Sequence, residues 1–195
     1  MRPRTTVDLY QAIRPGSAIA TRMGDAATYS ASERLREGST IHIRALRPAD
    51  RDDMLEAIGR TSAQSLRRRF FIPKRGFSDT EIAFFMNIDF DNHVALVAES
   101  DENGQPVIVG GGRYIVSEPG RAELAFVVVD AYHGKGIASA LLRHLVSIAR
   151  KAGLQALTAE VLPENAPMLR VFERLGFKPR SAGDPSVRHL ELKLS

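Results

Sequence analysis

The stretch that decides the fold is AELAFVVVDAYHGKGIASALLRHLVSIARKA, residues 122–152. Its first part, 122–129, is an apolar run with three consecutive β-branched valines, which favours an extended strand. Its last part places Ile137, Leu141, Leu145 and Ile148 three or four residues apart, the spacing of the apolar face of a helix. The stretch therefore predicts a central strand, a glycine-containing turn and an amphipathic helix.

The turn itself reads His133-Gly134-Lys135-Gly136. Glycine allows a positive φ and a close approach of ligand to backbone, and the first N–H groups of a helix have no intrahelical partner. Such a turn can therefore hold a phosphate at the positive end of the helix. The same glycines also suit a tight strand-to-helix connection that binds nothing, and these four residues alone do not decide between the two.

The composition fits a single domain. The chain has 195 residues, of which 44% are hydrophobic, enough to build a sizeable core. It has no cysteine, and no apolar run approaches the ~20 residues of a membrane-spanning helix. We therefore expect a cytoplasmic protein with no disulfide, no thiol nucleophile and no membrane partner.

The charges point to no particular partner. The formal net charge is +4 and the pI is about 9.7, but the charges are interspersed, so nucleic-acid binding is not expected. The densest basic cluster, Arg67 to Arg69 with Lys74 and Arg75, is typical of a solvated face; contact with an acidic partner or a ligand phosphate is the alternative. The five histidines show no metal-ligand spacing, so no metal is expected.

Residues 1–39 sustain neither a strand period nor a helix period, and we interpret them as a mobile N-terminal tail. Short helical turns are expected near Val7 to Ile13 and Ser32 to Arg36. The arginines of this segment suggest a transit peptide, but its acidic residues weaken that interpretation. The folded domain is expected to span residues 40–195.

From residue 40 onward, strands and helices can be assigned in order. Thr40 to Leu46 alternates like a half-buried strand, and Asp50 is suited to cap a helix from Arg51 to Arg60. Further helices are expected over Thr61 to Phe71 and after the capping box Ser78 to Glu81.

Strands dominate the middle of the chain. His93 to Glu99 and Val107 to Val116 should pair as a hairpin, and the next turn leads into the central strand. The glycines 110–112 in the second strand predict a bulge or a close neighbour. Gln155 to Leu162 should run parallel to the central strand, because a helix connects the two.

The last elements complete the sheet. Asn165 can cap the helix Ala166 to Leu175, and Phe177 to Arg180 should pair with His189 to Leu194 as a hairpin. The expected fold is α/β of the α+β kind, with a mixed, mainly antiparallel sheet, a central parallel strand pair and helices on both faces.

This order of elements, together with VVVDAYHGKGIASALL and ENAPMLRVFERLGF, resembles the GNAT superfamily of acyl-CoA-dependent N-acyltransferases. The resemblance covers residues 40–194. Four further segments, SAQSLRRRFF, NIDFDNHVALVAE, AELAFVVVD and AEVLPENAPML, are similar to the catalytic domain of bacterial protein lysine acetyltransferases. Some of those proteins carry a cyclic-nucleotide-binding or acyl-CoA-synthetase-like region. The segment before residue 40 is too short for either, so the resemblance implies a stand-alone catalytic module.

The resemblance implies acetyl-CoA as co-substrate. In the family, a turn with the pattern Gln or Arg, two residues, Gly, one residue, Gly or Ala holds the coenzyme pyrophosphate. Here Gly136 and Ala138 occupy the two small positions, and His133 replaces the Gln or Arg. In the family, the two parallel strands splay apart and the pantetheine arm lies between them. The resemblance implies that the arm pairs here with backbone groups of the first strand around Val127 and Val129. The residues that the resemblance assigns to the coenzyme are Val127, Val128, Val129, His133, Gly134, Lys135, Gly136, Ile137, Ala138, Asn165 and Phe172.

The resemblance also assigns a catalytic base. Attack on a thioester requires a neutral amine, whereas a free lysine has a pKa of about 10.4, so a base or a water relay must take its proton. Glu123 lies on the central strand where relatives often carry the catalytic glutamate, although a strand glutamate can also simply face solvent beside a cation. Many relatives have a tyrosine seven residues after the Asn165 position to protonate the thiolate; here that residue is Phe172, which has no proton to donate. Phe172 then packs in the core or against the thioester, and Asn165 can equally be a plain helix cap.

Two other classes of protein share some of these features. Gly134-x-Gly136-x-x-Ser139, with Glu160 at the end of the next strand, matches a dinucleotide-binding fingerprint, but such a domain begins with this unit, and here antiparallel strands precede it. A catalytically degenerate acyl-CoA-binding module is the other alternative, motivated by Phe172 and His133. We expect an acetyl-CoA-dependent N-acetyltransferase acting by direct transfer in a ternary complex on a protein lysine or, second, a small amine. A homo-oligomer is compatible with the sequence.

Overall fold

The computed structural model describes residues 24–74, 76–181 and 184–194. The helices are α1 Gly24–Ala27, α2 Arg51–Gly59, α3 Ala63–Phe70, α4 Asp79–Met86, α5 Ile137–Lys151 and α6 Ala166–Arg174. The strands are β1 Ser30–Arg34, β2 Thr40–Ala45, β3 His93–Glu102, β4 Gln105–Glu118, β5 Arg121–Val128, β6 Ala156–Val161, β7 Lys178–Pro179 and β8 Arg188–Lys193. Within these ranges, no helix is both long and apolar enough to cross a membrane.

The described strands form one sheet in the order β1-β2-β3-β4-β5-β6-β8-β7. Neighbouring strands are antiparallel except β5 and β6, which run parallel because α5 carries the chain from the end of one to the start of the other. The predicted mixed sheet with a central parallel pair is confirmed.

Helices cover both faces of this sheet. The alternation of β5 sends Leu124, Phe126 and Val128 into the core that α5 and α6 cover, whereas Glu123 and its alternate neighbours point to the opposite face. On that opposite face, α2 and α4 bury Ala57, Met54, Phe84 and Phe85 against the sheet. Glu123 therefore faces the layer formed by α2, α3 and α4.

The sequence prediction of a tail through residue 39 is wrong for Ser30–Arg34, which form the edge strand β1 paired antiparallel with β2. The expected helical turn near Ser32 is therefore a strand. The Glu33 carboxylate accepts a hydrogen bond from Arg143 and lies 2.7 Å from His144 Nε2, and both partners are on α5. Tyr29 contacts the other ring nitrogen of His144. The helical turn expected near Val7 to Ile13 lies outside the described residues.

The glycines of β4 sit where neighbouring groups approach closely. A side chain at Gly112 would place its Cβ 2.7 Å from the Phe126 ring. The register with β3 also shifts between Ala98 and Glu99, opposite the start of the glycine run. Both the predicted bulge and the predicted close neighbour are present.

Asp50 is the N-cap residue of α2, as predicted, but its side chain makes no cap bond to that helix. The Asp50 carboxylate instead accepts hydrogen bonds from the two terminal nitrogens of Arg44, at 2.7 and 2.9 Å, and from the Arg47 N–H at 2.6 Å. Arg44 also donates through Nε to Glu99 at 2.9 Å. Arg44 and Asp50 are buried, and leaving a buried charge unpaired costs more free energy than leaving a helix without a side-chain cap.

Candidate active site

The parallel strands β5 and β6 separate part-way along their length. They pair only from Arg121 with Ala156 to Leu124 with Ala159. Beyond Leu124, β5 continues to Val128 against β4, and β6 continues against β8, so the facing edges of β5 and β6 have no strand partner. Backbone N–H and C=O groups on an open strand edge can pair with a ligand in extended conformation.

A cleft of about 730 Å³ occupies this gap. It is lined from one face of the sheet by the β5–α5 turn and α6, and from the other by Ser65, Arg68 and Arg69 of α3. The cleft therefore passes through the sheet between the two strands. The predicted site residues that line it are Glu123, Val127, Val128, His133, Gly134, Lys135, Gly136, Ile137, Ala138, Asn165 and Phe172.

Val129, which was also predicted to bind the coenzyme, does not line the cleft. Its side chain is buried with Leu46, Ala57 and Ile108 on the α2 face. Its N–H donates to the Val109 carbonyl at 2.9 Å, and its own carbonyl accepts from the Tyr132 N–H at 2.8 Å. The backbone N–H and C=O of Val129 are therefore both hydrogen-bonded within the protein, and its side chain does not line the cleft.

The turn before α5 presents bare backbone to the cleft. Gly134 and Gly136 have φ of 78° and 97°, a region that favours glycine, and a Cβ at either position would meet nothing within 4 Å. Gly136 is the N-cap of α5 and makes no side-chain cap bond, so the first N–H groups of this 15-residue helix face the open space. This arrangement has the donors and the positive helix end that an anion requires.

His133 turns back to the strand instead of pointing along the turn. Its Nε2 lies 2.8 Å from the Val128 carbonyl, and because a carbonyl only accepts, Nε2 donates this bond. The same nitrogen is 3.4 Å from Asp130. His133 thus occupies one backbone acceptor at the end of β5.

Glu123 lies half-buried beside the open edge of β5. Burial and, to a smaller extent, the negative charge of Glu160 raise the pKa of its carboxyl to about 7, while the Arg69 guanidinium opposes the shift. A carboxylate with a pKa near the working pH is suited to general-base catalysis.

Glu160 also lines the cleft, although the sequence suggested it only as the ribose ligand of the dinucleotide-binding alternative. It lies on β6 two residues beyond Thr158, the register partner of Glu123, so it occupies the same side of the sheet in the unpaired region. Its Oε1 is 3.2 Å from His189 Nδ1, and His189 Nε2 contacts the Asp184 carbonyl at 3.1 Å. The position of Glu160 next to Glu123 follows from the parallel register of β5 and β6, and it can be recognised only when that strand pairing is known.

The basic cluster of α3 is divided between surface and cleft. Arg67 pairs with Glu164 at 3.4 Å, whereas Arg68 and Arg69 line the cleft. Arg68 Nε is buried and has no hydrogen-bond partner among the described residues. Burial lowers the pKa of Arg69 to about 10, and the charge of Glu123 opposes this. Lys74 pairs with Glu81, and Arg75 lies outside the described residues.

Two hydrogen bonds fix α3 over the end of β5. The Asp130 carboxylate accepts from the Ser62 N–H at 2.8 Å and from Ser65 Oγ at 2.6 Å. Ser62 is also the N-cap of α3. The helix that carries Arg68 and Arg69 is therefore tied to the turn that follows the strand carrying Glu123.

The two remaining predicted residues keep structural contacts while lining the cleft. Asn165 caps α6 by accepting from the Met168 N–H at 3.4 Å. The Phe172 ring packs edge-on against Phe177 at 4.8 Å and Phe126 at 6.1 Å, and its side chain is buried. No group of three or more metal-ligating side chains occurs among the described residues.

Comparison with known families gives this geometry its context. Residues 61–177 match the family model described as the acetyltransferase (GNAT) family. The chain belongs to the GNAT acetyltransferase family. A GNAT acetyltransferase moves an acyl group from acyl-CoA to an amine, so this protein is an acyl-CoA-dependent N-acetyltransferase with acetyl-CoA as co-substrate.

Individual GNAT relatives agree with this assignment. The chain is 31% identical over 157 residues to an acetyltransferase of Pseudomonas aeruginosa, covering 80% of this chain and 84% of that protein. It is 28% identical over 144 residues to the acetyltransferase Pat of Mycolicibacterium smegmatis, covering 73% of this chain but only 42% of Pat. The solved GNAT domain of S. lividans PAT superposes with a TM-score of 0.78 at 32% identity, covering 84% of this chain and 96% of that domain.

The cleft of this GNAT enzyme fits acetyl-CoA in three respects. The bare N–H groups at α5 suit a pyrophosphate, and the open edge of β5 suits the amides of the pantetheine arm. Cationic side chains outnumber anionic ones along the walls, as a substrate with several phosphate groups requires; the cations are Arg34, Arg36, Arg68, Arg69, Lys135, Arg143, Arg170 and Arg174. Bound acetyl-CoA supplies an acyl carbon activated as a thioester.

The charge of Glu160 should be visible in the pH dependence of this GNAT enzyme. Glu160→Gln removes a negative charge that raises the pKa of Glu123. With Glu123 acting as a general base, the pH at which kcat/KM is half-maximal should therefore be lower for this variant than for the wild type. A pH–rate series over both proteins measures the shift.

Glu164→Gln is the matched control for this series. Glu164 lies in the same β6–α6 segment, but its partner is Arg67 and it does not line the cleft. Its profile should coincide with the wild type. Coincident profiles for Glu160→Gln and the wild type would contradict an effect of Glu160 on the pKa of Glu123.

Proposed function

We propose that this GNAT acetyltransferase transfers the acetyl group of acetyl-CoA directly to the side-chain amine of a lysine on a partner protein, with Glu123 as the base. The proposal extends the family assignment in two respects, the acceptor and the residues that act on it. Direct transfer needs no nucleophilic side chain, and the chain has no cysteine to form an acyl-enzyme.

The observation that carries the proposal is the position of Glu123. Its carboxylate is half-buried on the wall of a cleft whose far end is a phosphate-suited helix terminus, and it stands beside the open edge of β5. A base at this position can reach an amine that approaches from the α3 face, while the coenzyme enters from the α5 face.

Glu123 has to accept the proton that an incoming lysine carries. At neutral pH a lysine is mainly protonated, since its pKa is about 10.4 in water, but burial in a cleft lowers the pKa of an ammonium group. Burial raises the pKa of Glu123 to about 7, which brings the pKa values of donor and acceptor towards each other. The free-energy cost of proton transfer from lysine to Glu123 is therefore smaller than it would be between the same groups in water.

Glu160 would help to bring the amine in. With Glu123 it places two carboxylates on one side of the cleft, and these attract an ammonium group. His189 holds the Glu160 carboxylate at 3.2 Å. We assign Glu160 to positioning the acceptor and Glu123 to taking its proton.

The departing thiolate leaves without a tyrosine acid in this proposal. Phe172 has no proton to donate, and Tyr132, the one tyrosine that lines the cleft in the described residues, donates its hydroxyl to Glu102 at 2.7 Å. A thiol has a pKa of about 8.5, so a thiolate is a good enough leaving group near neutral pH.

A lysine acceptor is supported by likeness to protein acetyltransferases. The segments of α3, β3, β5 and β6 resemble bacterial protein lysine acetyltransferases, and the GNAT domain of S. lividans PAT shares 32% of its residues with this chain. A second candidate, a small amine that also carries a carboxylate or phosphate, is favoured by Arg68, whose buried Nε lacks a hydrogen-bond partner among the described residues.

Two measurements test the proposal in sequence. Saturating acetyl-CoA, at about a hundred times its dissociation constant, should stabilise the protein by roughly 2.7 kcal/mol. Incubation with acetyl-CoA and a cell extract should then give new acetyl-lysines by mass spectrometry. Glu123→Gln serves as the inactive control, and free amines with and without an anionic group are tested in parallel.

The outcomes are distinct. Acetyl-lysines that depend on Glu123 support the protein acceptor. Turnover only with anionic amines would replace it by the small-molecule acceptor. Stabilisation without turnover of any acceptor would indicate a binding module, and no stabilisation at all would contradict the coenzyme site.

A further inference from the structure

A second cavity lies against the reaction centre on the α2 and α3 face of the sheet. Its volume is about 70 Å³, several times the roughly 10–15 Å³ that admits one water molecule. Apolar groups make up most of its wall, among them Ile108, Gly111, Ala125, Val127 and Phe85. We call this space the apolar cavity.

The apolar cavity is continuous with the cleft. Arg69, Ala125 and Val127 line both spaces. Ala125 and Val127 are the next two side chains after Glu123 on the same face of β5. The cavity therefore begins directly beside the proposed base. An acyl carbon within reach of an amine that Glu123 deprotonates is therefore next to the mouth of the cavity.

Gly111 keeps this space open. It pairs with Val127 across β4 and β5 and is half-buried although it lies in a central strand. A Cβ at Gly111 would touch only the Leu96 carbonyl, at an ordinary contact distance of 3.6 Å, and would otherwise enter the cavity. Gly110 and Gly112, in contrast, face the α5 side, where Ile137 and Phe126 approach closely. The space at Gly111 is therefore not required by close packing.

One wall of the apolar cavity is a fixed side chain, Arg113, which pairs with Ala125 across β4 and β5. Arg113 donates to the Phe85 carbonyl at 3.3 Å and to His93 Nε2 at 3.0 Å, and its guanidinium lies 4.9 Å from the Phe85 ring. These contacts hold Arg113 in place as a rigid part of the wall. A volume of about 70 Å³ suits a short acyl chain and not a long one.

We propose that the apolar cavity receives the chain of the acyl group, so that the enzyme transfers propionyl and butyryl groups as well as acetyl. The inference rests on the proposed function and names its acyl donors as short, straight-chain acyl-CoA thioesters. The amine nitrogen bonds to the acyl carbon, the carbon–sulfur bond breaks, and the amine proton passes to Glu123 while coenzyme A leaves. The extra methylenes take no part in these bonds and contribute only by burial.

Variants at Gly111 test the proposal, because they fill the cavity without touching the cleft. The wild type should use propionyl-CoA and butyryl-CoA with kcat/KM at least equal to that for acetyl-CoA, since each buried methylene is worth about fourfold in binding. Gly111→Ala should lower the butyryl rate selectively. Gly111→Val, whose side chain suits a strand, should lower propionyl and butyryl at least tenfold while acetyl changes less than about threefold.

Gly59→Ala is the matched control, because a Cβ there meets nothing within 4 Å and Gly59 borders neither space. It should leave the ratio of propionyl to acetyl kcat/KM unchanged. A wild-type enzyme that acetylates normally but uses propionyl-CoA a hundredfold less efficiently would overturn the proposal. So would a Gly111→Val enzyme that loses all donors equally. Failure of acetyl transfer itself would instead refute the proposed function, so the two failures are distinguishable.

Discussion

Replacing Glu123 by glutamine is expected to lower turnover by roughly 10²–10⁴-fold, the range for loss of a general base. Glutamine keeps the size and hydrogen-bonding capacity of the side chain but cannot take up the acceptor's proton. Affinity for acetyl-CoA should stay within about threefold, because the features that suit the coenzyme do not include Glu123; they are the backbone groups at α5 and β5 and the cationic side chains of the cleft. Steady-state kinetics and calorimetry measure the two effects separately.

The pH dependence identifies the base in the same experiment. Since burial raises the pKa of Glu123 to about 7, wild-type kcat/KM should rise with pH and reach half its maximum near pH 7. The residual activity of Glu123→Gln should lack this rise. Glu118→Gln is the control: Glu118 lies at the exposed end of β4 and pairs with Arg121 at 3.7 Å, so its profile should match the wild type.

Loss of folding is a separate outcome that the stability of the variant reveals. The carboxyl of Glu123 has a pKa of about 7 when folded and about 4.3 when unfolded, so the folded state holds the proton more tightly. The free energy of unfolding of the wild type therefore falls as pH rises from about 4.3 through 7, and Glu123→Gln escapes this loss. At pH 8 the variant should be at least as stable as the wild type. An active, stable Glu123→Gln enzyme would remove Glu123 from the mechanism.

The central part of the fold could be read from local patterns because each element carries its own signal. The valines of β5, the helical spacing of α5 and the capping box at Ser78 are all decided by residues close in sequence. The parallel pairing of β5 and β6 follows from the crossover helix between them. The turn residues of the cleft were predictable for the same reason, since they lie between two such elements.

Strand β1 could not be read in this way. Its sequence, SASER, has no apolar alternation, and in the structure none of its residues is buried. Its place in the sheet comes from the ladder with β2 and from the contacts of Glu33 with Arg143 and His144, more than a hundred residues away. Contacts between residues so far apart in the sequence become apparent only in the folded structure.

The cleft residues that sequence reasoning missed also depend on distant contacts. Glu160 becomes a neighbour of Glu123 only through the register of β5 and β6. Arg68 and Arg69 look like part of an exposed basic run until Asp130 ties α3 across the end of β5. Conversely, Val129 looks like a continuation of the coenzyme strand but leaves the cleft, because its backbone groups bond to Val109 and Tyr132.

The second large effect is expected from Gly136→Ala, which should weaken coenzyme A binding at least tenfold. Gly136 has a φ of 97°, which costs a non-glycine residue roughly 1–2 kcal/mol, so the turn either strains or moves. Its methyl group would also enter the space in front of the first N–H groups of α5, where an anion has to come close. Calorimetric titration with coenzyme A measures the loss.

Gly104→Ala separates strain from ligand contact. Gly104 in the β3–β4 turn has a φ of 81°, and a Cβ there also meets nothing within 4 Å, but it lies away from the cleft. Both variants should lose similar free energy of unfolding, and only Gly136→Ala should lose coenzyme affinity. Equal affinities for the two variants would show that the α5 turn does not hold the phosphates.

A truncated donor locates the loss within the cleft. Acetyl-pantetheine has the thioester and the amides that suit the edge of β5 but no phosphate for the α5 turn. The wild type should use it less efficiently than acetyl-CoA, because acetyl-pantetheine has no phosphate to accept hydrogen bonds from the backbone N–H groups at Gly136 and Ile137. Gly136→Ala should use it as well as the wild type does, whereas Glu123→Gln should be equally impaired with both donors. Gly136→Ala should therefore affect the phosphate end of acetyl-CoA, and Glu123→Gln the thioester end. This division is expected if the coenzyme lies in a cleft that passes through the sheet.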